Sequence, residues 1–210
     1  MLRADNLDGM DLEGRVFWRD RTFPVWSGIA GQRAQEHSSY TGWARMAPHI
    51  EARGMRDYVG EGEYFGFNFG PIPEGIEPLG AAEAVNVPFS TEYARSFVFQ
   101  PEYGVYSVHN RRGAHIDAET EGGPLFVTNI LVQITSMRVV DARAGYRNVD
   151  IVGSGEGFLV TDGQYFPALW EKASHADPMQ WRFPCGAPIT LAPGKTWICI
   201  LQDTARAVFE

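Results

Sequence analysis

Short β-type segments separated by turn signals fill most of the chain after residue 84, and they constrain its fold more than any other feature. They are rich in β-branched and aromatic residues. Gly-containing turns at 112–113, 121–124 and 144–145 separate several of them. The pattern predicts a predominantly antiparallel β fold. The segments are 84–89, 94–99, 104–108, 125–134, 137–140, 165–170, 179–183, 188–191 and 195–201.

One helix candidate precedes these strands. Apolar residues with helical spacing lie between N-capping residues and a glycine suited to a C-cap. Pro48 lies inside this stretch and cannot donate a helical hydrogen bond, so we expect either a kink or a second helix starting there. The predicted class is α+β, predominantly antiparallel β with one or two helices near the N-terminus. The residues that define the candidate are Ser38, Ser39, Thr41, Trp43, Met46, Ala47, Ile50 and Gly54.

The stretch Gly153-Ser-Gly-Glu-Gly157 resembles the start of a phosphate-binding glycine loop. Such loops bind phosphate because a helix follows them, and here an apolar run and Asp162-Gly163 follow instead. Asp-Gly is typical of a two-residue hairpin turn with positive φ. We therefore expect strand, turn and strand, with the glycines serving a bulge or tight corner.

Charge and hydropathy exclude several classes of protein. The net charge of −8 disfavours a nucleic-acid or anionic membrane surface. No apolar run reaches the roughly 18 residues of a membrane span, and the first residues lack the apolar core of a signal peptide. Taken alone, these features predict a soluble, unexported chain.

Cys185 and Cys199 are the two cysteines, and neither forms a CxxC pair, so a structural zinc site is disfavoured. Cys199 lies in an apolar run, 197–201, whose pattern predicts a strand buried on both faces. A packed, unreactive thiol is the expected state of Cys199, and a disulfide with Cys185 is the alternative.

Eight short strings along the chain form an ordered set. They are Phe17–Asp20, Arg33–His37, Tyr106–Asp117, Thr128–Gln133, Gly153–Gly157, Leu169–Lys172, Asp177–Pro178 and Pro193–Ile198. In this order they resemble the YerB-like lipoprotein family of bacteria, catalogued as domain of unknown function 3048, over nearly the whole chain. The resemblance implies a β-rich C-terminal domain in an extracytoplasmic, cell-envelope setting, with no assigned activity and no nucleotide role for Gly153–Gly157.

The chain departs from that family at its start. Members carry an export signal, a lipid-attachment cysteine and a longer N-terminal half, so this chain resembles a fragment or a shortened relative. We expect a partial N-terminal α+β domain over 1–110 and a C-terminal β domain over 111–210, or one compact unit. Because a missing half-domain exposes strand edges, a homodimer is a further hypothesis.

The densest polar cluster contains His109, His115 and Asp117. Together with His37, these side chains can form a general base with its orienting partner, or an open metal site. The competing interpretation is a structural polar network near a turn. The sequence establishes neither a catalytic set nor a metal site, and it predicts no cofactor.

Four further residues are candidates for ligand binding. Arg33 precedes the expected helix start, where it can bind a carboxylate or anchor the loop, and Arg111 belongs to the histidine cluster. Trp170 and Lys172 share one strand face. They suit a sugar or peptide if the indole is exposed, whereas a buried Trp170 with Lys172 reaching to solvent is the structural alternative.

The family resemblance, together with the lack of a strong catalytic motif, favours a non-catalytic cell-envelope domain that recognises a protein partner or a cell-wall component. The alternative is a cell-envelope hydrolase that uses His109, His115 and Asp117 with His37. Serine hydrolase signatures are absent from the sequence. Any membrane association is expected through a lipid anchor that these residues do not contain.

Overall fold

A computed structural model describes residues 27–28, 39–40, 43–52, 67–90, 93–116, 122–143, 145–175 and 177–210. The chain divides into two compact units, Met1–Tyr64 and Phe65–Glu210. In the first unit, β1 (Ser27–Gly28) pairs with β2 (Ser39–Tyr40), and α1 spans Trp43–Ala52. The helix continues through Pro48, so a second helix does not begin there.

The second unit contains sixteen of the strands in the described residues, and most of them pair antiparallel. The predicted predominance of antiparallel β structure is confirmed, and α1 is the one helix among the described residues. The strands are β3 (Asn68–Phe69), β4 (Gly80–Ala81), β5 (Ala84–Pro88), β6 (Ala94–Gln100), β7 (Val105–Asn110), β8 (Gly113–Ala114), β9 (Phe126–Val127), β10 (Asn129–Thr135), β11 (Met137–Asp141), β12 (Tyr146–Val149), β13 (Gly153–Thr161), β14 (Gln164–Lys172), β15 (Gln180–Arg182), β16 (Thr190–Leu191), β17 (Thr196–Gln202) and β18 (Val208–Phe209).

Two six-stranded sheets dominate this unit. The central sheet has the order β15-β14-β13-β10-β17, with β4 also paired to β14. The second sheet has the order β18-β5-β6-β7-β8, with β9 also paired to β7. The pairs β11–β12 and β16–β3 are separate two-stranded sheets. β10 and β17 run parallel, although they lie far apart in sequence.

The central sheet is buried on both faces. Its inner face packs against the second sheet through a core that includes Phe97, Tyr106, Ile130 and Val160. Its outer face carries a second core, covered by the segments 67–76 and 179–191. Side chains alternate along a strand, so β10 contributes to both cores.

β17 does not have the predicted burial on both faces. Cys199 and Leu201 are buried on the inner face, but Ile198 and Ile200 are 49% and 36% exposed. β17 is the last strand of the sheet, and the cover of the outer face ends before it. Cys185 and Cys199 are both free, so the alternative of a disulfide is wrong.

The glycine-rich stretch forms strand β13, and Asp162-Gly163 forms its hairpin turn with β14, as predicted. Both turn residues have positive φ, +49° and +70°. Gly155 and Gly157 serve close packing, which differs from the predicted bulge. A Cβ on Gly155 would lie 2.7 Å from the Trp170 indole nitrogen, and one on Gly157 would lie 2.3 Å from the Val132 carbonyl oxygen.

Candidate functional site

The structure separates the two described histidines of the predicted cluster. His109 pairs with Ala114 across the β7–β8 hairpin, so His115 faces the opposite side of the sheet. The His109 ring is 2.9 Å from the Ser107 hydroxyl oxygen, whereas the His115 ring lies edge-on to Trp197 with centroids 6.2 Å apart. These two rings therefore do not share a site.

The remaining members of that cluster, His37 and Asp117, lie outside the described residues, as does Arg33. Among the residues that the structure describes, no group of three or more His, Cys, Asp or Glu side chains is placed to hold a metal ion. The predicted general base and metal site thus stay predictions.

Trp170 is buried, as in the structural alternative predicted for it. Its side chain is 3% exposed, and its indole N–H donates a hydrogen bond of 2.9 Å to the Ile134 carbonyl oxygen. The Lys172 ammonium donates to the carbonyl oxygen of Asp177. The indole is part of the outer core, which favours packing over contact with a sugar or peptide.

Arg111 lies in the two-residue turn between β7 and β8. The predicted domain boundary, between residues 110 and 111, lies at the start of this turn and stays a prediction. Arg111 lines a cleft with Arg95 and Arg112, which is described below as the arginine cleft.

A larger cleft of about 520 Å³ lies beside the Asp162-Gly163 hairpin turn, and we call it the turn cleft. Its volume falls within the roughly 300–1,000 Å³ typical of ligand sites. One wall is the proline-rich segment 70–78, and the polar side is formed at the adjoining ends of β13 and β14. The residues that line it are Gly70, Pro71, Ile72, Pro73, Glu74, Gly75, Ile76, Pro78, Gly104, Thr128, Thr161, Asp162, Gln164, Phe166 and Ala192.

The floor of the turn cleft continues the outer face of the central sheet. Thr161 pairs with Gln164 next to the turn, and Phe166 follows Gln164 on the same face. Thr161 is 5% exposed, and its hydroxyl oxygen is shielded from solvent without a hydrogen-bond partner. A shielded hydroxyl without a partner costs about 1–3 kcal/mol, so a ligand donor or acceptor there would be favourable.

The hairpin turn is held firmly against the rest of the unit. The Gly163 N–H donates to the buried Tyr106 hydroxyl oxygen at 2.9 Å, and the Gly163 carbonyl accepts from the Ala82 N–H at 2.7 Å. Burial raises the pKa of the Tyr106 phenol above its usual range, so the phenol stays neutral. Asp162 therefore sits on a preorganised turn.

The charges that line the turn cleft are of one sign. Asp162 and Glu74 are its ionisable lining residues among those described, and both are exposed carboxylates. Sequence reasoning predicted the Asp162-Gly163 turn but missed the cleft. Its one local signal was the Pro- and Gly-rich segment 70–78, which is typical of a surface loop.

Comparisons with known proteins support the resemblance drawn from the sequence. The chain is 25% identical over 208 residues to a protein of Bacillus subtilis (strain 168) named "Putative lipoprotein YerB". That alignment covers 97% of this chain but 56% of the relative. The crystal structure of YerB protein from Bacillus subtilis matches with a TM-score of 0.68 at 21% identity, covering 89% of this chain and 59% of that one.

The family model described as the C-terminal domain of a protein of unknown function, DUF3048, matches residues 85–198. This range includes the second sheet from β5 to β9 and most of the central sheet. Within the described residues, no helix is long and apolar enough to cross a membrane. The match covers more than half of the chain, and the chain therefore belongs to the DUF3048 family.

Proposed function

We propose that this domain is a non-catalytic binding module of the bacterial cell envelope, and that its turn cleft recognises a peptide-like ligand carrying an ammonium group. The envelope setting is supported by the relative's name, which describes a lipoprotein. The observation that carries the ligand class is the pair of carboxylates, Asp162 and Glu74, in a cleft whose other described lining residues carry no charge.

The remaining lining complements such a ligand. Pro71 and Ile72 offer apolar surface to an aliphatic side chain, while the exposed Gln164 offers hydrogen-bonding groups to a peptide unit. The described lining contains no histidine, cysteine or lysine, so it offers no imidazole base, thiol or amine nucleophile.

Calorimetric titration with a capped Ala-Lys-Ala tripeptide and with its Nε-acetyl-lysine counterpart tests this function. We expect the acetylated peptide to bind much more weakly, because acetylation removes the charge. Asp162→Asn should weaken binding of the unmodified peptide about tenfold, since charge-assisted hydrogen bonds contribute about 1.5–3 kcal/mol. Asparagine also tolerates positive φ, so the turn should persist.

Asp203→Asn is the matched control, because Asp203 is an exposed aspartate outside the turn cleft. Equal binding of both peptides, or equal losses in the two variants, would refute the proposal. Peptides released from purified cell wall form a second arm. Tighter binding of these than of the capped tripeptide places the natural ligand in the wall, whereas binding of the capped tripeptide with no binding of the wall peptides places it in proteins.

A further inference from the structure

A second cleft, about 380 Å³ in volume, lies at one end of the second sheet, and the charge of its described lining residues is opposite to that of the residues described at the turn cleft. Its described lining residues are Tyr93, Ala94, Arg95, Asn110, Arg111 and Arg112. Three of the six are arginines, and none is acidic. This is a local reversal in a chain whose net charge is −8.

Strand pairing brings the arginines together from two parts of the sequence. Ser96 on β6 pairs with His109 on β7, so the adjoining residues Arg95 and Asn110 meet at the same strand ends. Asn110 then holds the β7–β8 turn, because its side-chain oxygen accepts from the Arg112 N–H at 2.7 Å. The Arg112 backbone is therefore fixed at the edge of the cleft that Arg95 also lines, before any ligand arrives.

Arg95 is the best-positioned of these side chains. Its guanidinium lies 6.0 Å from the centre of the Tyr93 ring, and one Nη donates to the Ala94 carbonyl oxygen at 3.1 Å. The Arg95 Nε is shielded from solvent and has no hydrogen-bond partner. A guanidinium N–H without an acceptor is unfavourable, which points to an acceptor supplied by a ligand.

We propose that the arginine cleft binds a phosphate group carried by a small molecule, a wall polymer or a lipid headgroup. Arginine presents its N–H groups in a planar fork that matches phosphate oxygens, and several guanidinium groups around one dianion neutralise it from different sides. The cleft is larger than a free phosphate needs, so it has room for the glycerol or sugar unit that bears the group.

Titration of glycerol 3-phosphate into ¹⁵N-labelled protein, in a buffer without phosphate, tests this site. We expect saturable shifts of the backbone amides from Tyr93 to Arg95 and from Asn110 to Arg112. Arg112→Gln should weaken binding about tenfold, because hydrogen bonds to charged groups contribute about 1.5–3 kcal/mol. Arg112 is exposed, so this variant should fold even if Arg95→Gln does not.

Arg143→Gln is the matched control, because Arg143 is exposed and lies outside the cleft. It should leave the affinity unchanged. The absence of saturable shifts at these amides, or equal losses in Arg112→Gln and Arg143→Gln, would overturn the proposal.

Sedimentation with phosphatidylglycerol vesicles, with phosphatidylcholine vesicles as reference, separates the sources of the phosphate group. Vesicle binding that is lost in Arg112→Gln assigns a lipid headgroup. No vesicle binding, with the glycerol 3-phosphate shifts present, assigns a soluble or polymer-borne phosphate.

Discussion

The two faces of the central sheet are both buried, but they are built differently. The inner face meets another sheet, and regular strand pairing fixes its partners. The outer face meets the segments 67–76 and 179–191, which contain little regular structure. Irregular cover leaves gaps that two packed sheets do not, and the turn cleft lies at this cover.

Both cores also contain shielded polar atoms without a hydrogen-bond partner. Thr161 and Gln133 have such atoms on the outer face of the sheet, and Arg95 and His115 have them on the side of the inner core. The difference between the faces therefore lies in their cover, regular strands on the inner face and irregular segments on the outer face.

The largest loss of stability is expected at Gly157, where the outer side of β13 lies close to the backbone of β10. Gly157→Ala would place a Cβ 2.3 Å from the Val132 carbonyl oxygen, so β13 and β10 must separate. We expect the free energy of unfolding to fall by about 3 kcal/mol or more, at the upper end of overpacking costs. Urea denaturation measures this loss.

Gly155→Ala is the paired variant for that experiment. Its Cβ would meet the Trp170 indole, a side chain that can move, at 2.7 Å. It should therefore cost less than Gly157→Ala. An equal or larger loss for Gly155→Ala would show that the backbone contact does not limit the packing of the outer face.

An intermediate effect is expected from Trp170→Phe. The change removes the N–H donor to the Ile134 carbonyl oxygen and leaves a small cavity in the outer core. We expect a loss of about 1–3 kcal/mol in the free energy of unfolding. Trp43→Phe, at a residue 63% exposed on α1, should change it by less than about 0.5 kcal/mol. Similar losses for the two variants would contradict a structural role for Trp170.

The smallest effect concerns the inner face and requires no mutation. Burial raises the pKa of the Cys199 thiol from 9.0 to about 12, against the opposing influence of Arg95. A thiol reagent at neutral pH should therefore modify the exposed Cys185 in the folded protein and both cysteines after unfolding. Modification of both thiols at equal rates in the folded protein would show that water reaches the inner face.

The same shift sets a direction for stability against pH. Because the folded state keeps a proton that the unfolded thiol loses, the stabilising contribution is complete below pH 9 and declines as the pH rises toward about 12. Cys199→Ala removes this thiol, so the stability of the variant should fall less steeply than that of the wild type as the pH rises through that range. Thermal unfolding at several pH values measures the difference.

Local signals predicted the strands and the hairpin turn well. The Asp162-Gly163 pair specifies positive φ at both positions, and no distant contact is needed to interpret it. The short strands Gly80–Ala81, Tyr146–Val149 and Val208–Phe209 were missed, because segments of this length are too short to show a periodic pattern. The family resemblance was confirmed, since it rested on an ordered set of strings.

Long-range pairing explains what the sequence did not reveal. The runs 129–135 and 196–202 are both apolar, yet only β10 lies between two neighbours, and β17 ends the sheet. The two described histidines of the predicted cluster, His109 and His115, are separated for a related reason. Across a two-residue turn, each odd-numbered residue pairs with an even-numbered one, and paired residues share a face of the sheet. His109 therefore shares a face with Ala114, and His115 lies on the opposite face. The turn cleft gathers residues from segments around 70–78, 128, 161–166 and 192, and local patterns do not predict such convergence.

Mapping of backbone amide shifts in ¹⁵N-labelled protein during titration with the capped Ala-Lys-Ala peptide tests the central claim most directly. The largest shifts are expected in the segments 70–78 and 161–166, with smaller ones at Thr128 and Ala192. The amides of the arginine cleft should not respond to this cationic peptide. Saturable shifts confined to other surfaces, or no saturable shifts, would contradict the assignment of the turn cleft as the binding site.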